Sequence, residues 1–395
     1  MRRIGFLAAF LLFIFTTAHA QWTLEDSHST ADLRGIDNVG GGVAWASGTN
    51  GTVLRTEDGG YLWQSCNLPP GAEHLDFRGI QGFDAETAIV MSSGKGDLSR
   101  LYKTTDGCNS WKLVFTNPDA EGFWDAIVMT DPRTGTLIGD PVRGGSSRER
   151  SGSAYVFPTY RTVDGGQTWN RDDGDMLSAS VGKNGQPVES LFAASNSSLL
   201  VEHYTMLFLT GGTTNGLHYL QYDFGSASAS CKAPCRIMSE TGSALATGES
   251  AGGFSLAANY HLKPGERATS SRIVVAVGGD FTKPDSSAGT AAVCLPQVAG
   301  GLTQFTCEAA QTPPHGYRSS VAYDAAIKTW ITVGPNGTDI STDDGRNWRA
   351  VRPDAALHEG ADADGNWNAL SLPFVVGPHG RIGKLDPAAL GKGGK

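Results

Sequence analysis

The octapeptide Thr56-Glu-Asp-Gly-Gly-Tyr-Leu-Trp63 returns three times, as Thr104-Thr-Asp-Gly-Cys-Asn-Ser-Trp111, Thr162-Val-Asp-Gly-Gly-Gln-Thr-Trp169 and Ser341-Thr-Asp-Asp-Gly-Arg-Asn-Trp348. Each residue type has a physical reason to be there. The aspartate accepts backbone N–H bonds inside a turn, glycine permits a positive φ, and the tryptophan buries a large ring against the sheet. The unit therefore reads as a staple for a hairpin, which makes Asp58, Asp106, Asp164 and Asp343 structural rather than catalytic. Spacing then counts the repeats. Asp58 and Asp106 are 48 residues apart, Asp106 and Asp164 are 58 apart, and Asp164 and Asp343 are 179 apart. The last interval holds about three repeats of about 60 residues, so two units without the octapeptide lie inside it.

The octapeptide resembles the Asp-box of BNR-type repeats, S/T-x-D-x-G-x-x-W, with Cys108 replacing the usual glycine in the second copy. The two units without a box are expected at ESLFAAS from Glu189, followed by YTMLFLTGG, and at GGFSLAA from Gly252, followed by RIVVAVGGD. A half-repeat from Trp367 supplies inner strands only, while QWTLEDS at Gln21 reads like the strand that follows each box. The N-terminal strand should therefore complete the last unit. The expected fold is all-β: one seven-bladed β-propeller of four-stranded antiparallel blades over residues 21–390, a closed ring that leaves no sheet edge exposed, with a Gly/Lys tail at 391–395. The meander from Leu33, LRGIDNVGGGVAWASGTNGTVLRTEDGG, matches a second from Tyr323, YDAAIKTWITVGPNGTDISTDDGRNW. With these repeats, the mature chain resembles the exported YCF48-like propellers, the photosystem II stability and assembly factor group. That resemblance implies a platform on which other proteins dock or assemble, with no cofactor.

Export is also legible at the N-terminus. Arg2 and Arg3 precede an apolar run from Ile4 to Phe15, and Ala18-His19-Ala20 supplies small residues for cleavage before Gln21, so residues 1–20 read as a secretory signal peptide. No cysteine follows the site and no later segment is long and apolar enough to span a bilayer, so the mature chain is expected to be soluble, periplasmic or extracellular. Without the two early arginines it carries 29 basic and 40 acidic side chains, a net charge of −11. Binding to nucleic acid by counterion release is therefore disfavoured.

Six cysteines in an exported chain read as up to three disulfides, with about fifteen connectivities open. Cys294 and Cys307 flank a Gly-Gly turn and would face each other across two strands. Cys231 and Cys235 bracket a tight loop, which leaves Cys66 for Cys108. Both of the first two pairs fall where the box is missing, as replacement staples. No metal-ligand cluster, dinucleotide-binding glycine motif, haem attachment motif or copper ligand set is visible in the sequence.

Candidate binding residues follow from the geometry of a propeller, in which the loops entering each innermost strand gather at one mouth of the central channel. Aligned starts of inner strands place Arg34, Arg78, Asp125, Glu189, Phe254 and Asn368 at one equivalent position, with Arg318 within a residue of it. Three arginines would then face two carboxylates, a mouth suited to an anionic ligand or to a peptide carrying both charges. The alternative is that these charges pair with one another and serve the fold. Tyr317, Glu249, Asp280 and Lys283 join the candidate face, as does the arginine-rich loop with Arg143, Arg148 and Arg150.

Three classes of function compete. The first is docking of another extracytoplasmic protein or an anionic ligand. The second is glycan hydrolysis, because sialidases use Asp-box propellers; Glu189 and Asp125 would be the carboxyl pair and Arg34, Arg78 and Arg318 the substrate clamp. However, LRGI stands where sialidases carry an Arg-Ile-Pro segment. The third, redox catalysis, lacks every cofactor motif sought. Docking without catalysis is the expectation.

Overall fold

Seven antiparallel blades succeed one another along the chain, each an up-and-down meander of four strands whose first strand is innermost. The computed structural model describes residues 21–144, 155–172, 177–202, 205–223, 235–260, 272–299, 302–353 and 362–390. The innermost strands are Leu33–Gly40, Phe77–Gly82, Trp124–Met129, Leu199–Glu202, Gly248–Tyr260, Ser320–Asp324 and Ala369–Ser371, for blades 1 to 7 in order. In blade 7 the fourth strand comes from the other end of the chain: Trp22–Glu25 pairs antiparallel with Ile382–Leu385. The ring is thus a seven-bladed β-propeller, closed as the sequence predicts, and residues 1–20 and 391–395 lie outside the described residues.

Seven apolar clusters hold it together, one at each junction between neighbouring blades. A strand buried on both faces reads as a continuous apolar run, and the second strands Ala88-Ile-Val-Met91 and Trp330-Ile331 show this. The tryptophans of the octapeptides have a more specific task than burial against their own sheet. Trp63 packs into the blade 7/1 cluster with Phe374, Trp111 into the 1/2 cluster, Trp169 into the 2/3 cluster and Trp348 into the 5/6 cluster. Each one joins its own blade to the preceding blade.

The octapeptides form four copies of one turn between the third and fourth strands. Asp58 accepts from the Thr56 hydroxyl (2.9 Å) and from Leu62 N–H (3.0 Å), while Thr56 accepts from Gly60 N–H (3.0 Å). Asp106, Asp164 and Asp343 repeat the pattern with Ser110, Thr168 and Asn347. These bonds favour the charged carboxylate, and Asp164 is lowered to about 2, chiefly by the Thr168 side chain and backbone. Glycine or aspartate at positive φ fits the turn elsewhere, whereas the second copy places Cys108 at φ 61°.

Two disulfides are present among the described residues. Cys294 and Cys307 are register partners in the two outer strands of blade 5. Cys66, just beyond the fourth strand of blade 1, is bonded to Cys108 in the octapeptide of blade 2, so this bridge ties two blades. Cys231 lies outside the described residues, as do Arg148 and Arg150.

Blade 4 departs from the sequence reading. ESLFAAS is not its inner strand; that role falls to Leu199–Glu202, paired with Thr205–Leu209. Glu189–Ser190 instead pairs with Gly211–Gly212, which pairs with the first strand of blade 5 and extends that sheet to six strands. The residues between Ser190 and Leu199 enter the channel.

Candidate functional site

The two Arg-Gly-Ile segments at the starts of blades 1 and 2 build the core of the mouth. In each, the residue before the arginine is buried (Leu33, Phe77) and the pleat turns Arg34 and Arg78 the other way. The glycine has a separate job. A Cβ on Gly35 would run into Ser47 Oγ and crowd the Arg78 carbonyl, and one on Gly79 would meet the Asn196 side chain. Both arginines converge on one carboxylate: Arg78 Nε donates to Asp76 (2.8 Å), and Arg34 Nε lies 3.0 Å from its other oxygen without hydrogen-bond alignment. Their side chains are 33% and 30% exposed. Apart from a long contact from Arg78 Nη1 to the Ala193 carbonyl (3.5 Å), their terminal nitrogens have no partner among the described residues.

Beneath Arg78 lies a pair of carboxyls. Asp125, 1% exposed, keeps one oxygen without a hydrogen bond among the described residues. It is pushed well above the usual carboxylate range, first by burial and then by the Asp140 charge, with Arg78 opposing. Asp140, which sequence reasoning passed over as a loop residue, is pushed up to about 7 by burial, against the hydrogen bond it accepts from Leu191 N–H. Burial therefore holds both carboxyls toward the neutral form.

The chain from Leu191 to Ser198 plugs the channel. Asn196, at φ 59°, donates to the Ile80 carbonyl of blade 2 (3.0 Å) and accepts from Ile127 N–H of blade 3 (3.2 Å). Ser197 accepts from Leu256 N–H of blade 5 (2.7 Å) and meets Ser320 of blade 6 at 3.4 Å between hydroxyls. Two residues therefore bind four of the seven inner strands. At the mouth, Phe192 stacks on Phe254 at 4.2 Å, and Phe281 from the blade 5 loop stands edge-on to both rings at 6.2 Å.

Several predicted site residues are elsewhere. Glu189 is sealed, accepting from Ser180 N–H (2.7 Å), the Thr210 hydroxyl (2.8 Å) and His218 (3.1 Å). Burial raises its pKa, but these bonds outweigh burial and hold it below the usual range. Its side chain and that of His218 are each 1% exposed, so Glu189 does not face Asp125 across the mouth as a hydrolytic partner. Glu189, His218 and Glu240 do bring ligand atoms within 4.8 Å of one another. The donor set fits a metal poorly, because His218 Nδ1 is buried without the acceptor that a ligating imidazole requires on its other nitrogen.

Arg318 is likewise absent from the mouth. It is fully buried, paired with Asp339 through Nε (2.8 Å) and Nη2, and bonded to the Tyr317 carbonyl and to Asn336. His315, partly exposed, caps this group and is raised by its bond to Asp339. Tyr317 is buried against Phe254 (4.8 Å). Asn368 donates to the Leu33 carbonyl (2.8 Å) and helps close the ring. Asp280 and Lys283 pair with each other at 2.7 Å at the rim, with Glu249 exposed nearby in sequence to Ser250, which also bonds Asp280. Arg143 is exposed and lies over the Tyr155 ring (5.3 Å). No helix among the described residues is long and apolar enough to cross a membrane.

The chain is thus a seven-bladed propeller whose inner strands are bridged by the segment around Asn196 and Ser197. Its fold is shared with solved structures of YCF48. The likeness to YCF48 bound to D1 peptide covers 96% of this chain and 99% of that one, at a TM-score of 0.53 and 13% identity. For YCF48 from Cyanidioschyzon merolae the coverage is 93% and 100%, at a TM-score of 0.57 and 16% identity. No protein-family model and no curated protein matches the sequence.

Proposed function

We propose that this chain is an exported docking platform that holds an anionic segment of another extracytoplasmic protein at the channel mouth. The observation that carries the reading is the Arg34–Asp76–Arg78 arrangement. One carboxylate lies against two guanidiniums at their Nε groups and leaves the terminal nitrogens, the fork that matches a carboxylate or phosphate, without a hydrogen bond among the described residues apart from the long Arg78 contact to Ala193. The YCF48 structure bound to a D1 peptide supports a peptide as the kind of partner a propeller of this shape takes. Two disulfides and the N-terminal signal sequence support export. A catalytic role has little support, since Glu189 is sealed and Asp125 is itself only 1% exposed.

The test is capture from an extracytoplasmic extract with the purified mature protein, run beside a fluorogenic glycoside panel. R34A/R78A should fold normally and lose the captured partner. Unchanged capture removes the arginine pair from the reading, and glycoside turnover abolished by D125N replaces docking with hydrolysis.

A further inference from the structure

The geometry points to a second, apolar contact point beside the arginine pair, so that the partner segment is read at two places. This rests on the docking reading above and names the chemistry of the segment. Phe281 is a large side chain at the tip of the blade 5 loop, 48% exposed, yet it is held firmly. Its backbone N–H is bonded to the Ser250 carbonyl (3.2 Å). Asp280 beside it accepts from the Ser250 hydroxyl, Thr282 N–H and hydroxyl, and Lys283, which fixes the loop. The ring itself is braced edge-on by the stacked Phe192 and Phe254. A rigid, half-exposed phenyl ring is the type of side chain that anchors an interface at low entropic cost.

Phe281 and Arg78 are linked through adjacent residues of the plug. Phe192 touches Phe281, and the Ala193 carbonyl touches Arg78. The strip Phe192-Ala193 therefore forms a floor with guanidinium donors at one end and an apolar ring at the other. The occupant this fits is a short extended peptide with a carboxylate at one end and an aromatic or large aliphatic side chain a few residues away. An isolated anion would engage the arginines alone.

The test uses four fluorescein-labelled Gly/Ser decapeptides: one with an Asp pair and a Phe, with the spacing varied in a series, one with the Asp pair only, one with the Phe only, and one with neither. Affinities are read by anisotropy with the mature protein, F281A and R34A/R78A, each checked for an unchanged melting temperature. The combined peptide should bind wild type about tenfold more tightly than the Asp-only peptide, and F281A should erase that difference while leaving the Asp-only peptide unaffected. R34A/R78A should weaken both Asp-bearing peptides. If F281A binds the combined peptide as well as wild type does, or if Phe adds nothing at any spacing, the two-point inference is overturned and the arginine reading stands. If no Asp-bearing peptide binds better than the blank, the arginine reading falls and takes this inference with it.

Discussion

Removing the Cys66–Cys108 bridge should cost more stability than removing Cys294–Cys307, and the strain at residue 108 makes the experiment diagnostic. The first bridge closes a loop of sequence separation 42 and the second one of 13. Loop-closure entropy converts these into about 4 and about 3 kcal/mol of lost constraint on the unfolded chain. Spread over a propeller of this length, at about 2.1 cal/mol/K per residue, the falls in Tm are about 5 °C and about 4 °C. Cys108 also occupies the left-handed backbone region at φ 61°, where the equivalent position elsewhere is glycine, at 97°, 79° and 79°. Once the bridge is gone, a side chain there costs about 1 kcal/mol that glycine would not. Scanning calorimetry under oxidising conditions should therefore place wild type highest, C294S/C307S and C66S/C108G together about 4 °C below it, and C66S/C108S about 1 °C lower still. Equal melting of C66S/C108S and wild type would refute the inter-blade staple, and equal melting of the two Cys66 variants would refute the strain argument.

The mouth and the buried blade 6 cluster should separate on mutation. R318A strands the buried Asp339 and should cost about 3–5 kcal/mol in urea unfolding, whereas R34A and R78A, which break half-exposed pairs, should each cost about 1 kcal/mol or less. The Asp125–Asp140 pair works in the opposite sense to the octapeptide aspartates. Both folded pKa values are raised, so the pair's contribution to stability is fully present below about pH 4 and is lost as pH rises, for Asp140 through about 7. Urea midpoints of D140N should therefore gain on wild type between pH 5 and pH 8, and a constant difference would contradict the buried pair. Glu189 has a depressed pKa, so its share is present at neutral pH and lost as pH falls below the usual glutamate value. E189Q should flatten that acid limb of the stability profile. N196A should remove two bonds from the plug, about 2 kcal/mol together, and speed hydrogen exchange at the Ile127 amide; unaltered exchange there would mean that the plug does not hold the inner strands.

The ring was legible because its signals repeat. Four octapeptides set the blade spacing, and the N-terminal strand could be placed by its likeness to the segment after each box. The mouth was legible only where strand register was. Arg34 and Arg78 are the second residues of their inner strands, but Arg318 precedes its strand, Ser320–Asp324, by two residues. That offset carries it into the pocket of Asp339 and Asn336. Glu189 was misplaced because ESLFAAS carries a short apolar run like those of the other inner strands, and such a run cannot tell which sheet a strand joins. The corrective signal was Ser195-Asn-Ser-Ser198, turn chemistry that fits the positive φ at Ser195 and Asn196. Asp140 and His218 carried no local pattern; only the fold brings them beside Asp125 and Glu189.

The plug also decides where binding can occur. An inner strand presents unpaired backbone groups on its open side, and these need partners. Around this channel they are met by side chains of the neighbouring blade: Asp37 accepts from Gly82 N–H, Gln81 from Met129 N–H and Ser255 from Val321 N–H, while Asn368 donates to the Leu33 carbonyl. Asn196 and Ser197 serve the strands of blades 2, 3 and 5 in the same way. A segment threading the channel would have to break these bonds without water to replace them, which costs about 1–3 kcal/mol for each group left unpaired. Docking on the rim costs none of them. The energetics therefore favour the outer surface of the plug as the floor of the proposed site, with the Arg34–Arg78 pair and Phe281 on either side as the groups that the proposed partner would meet first.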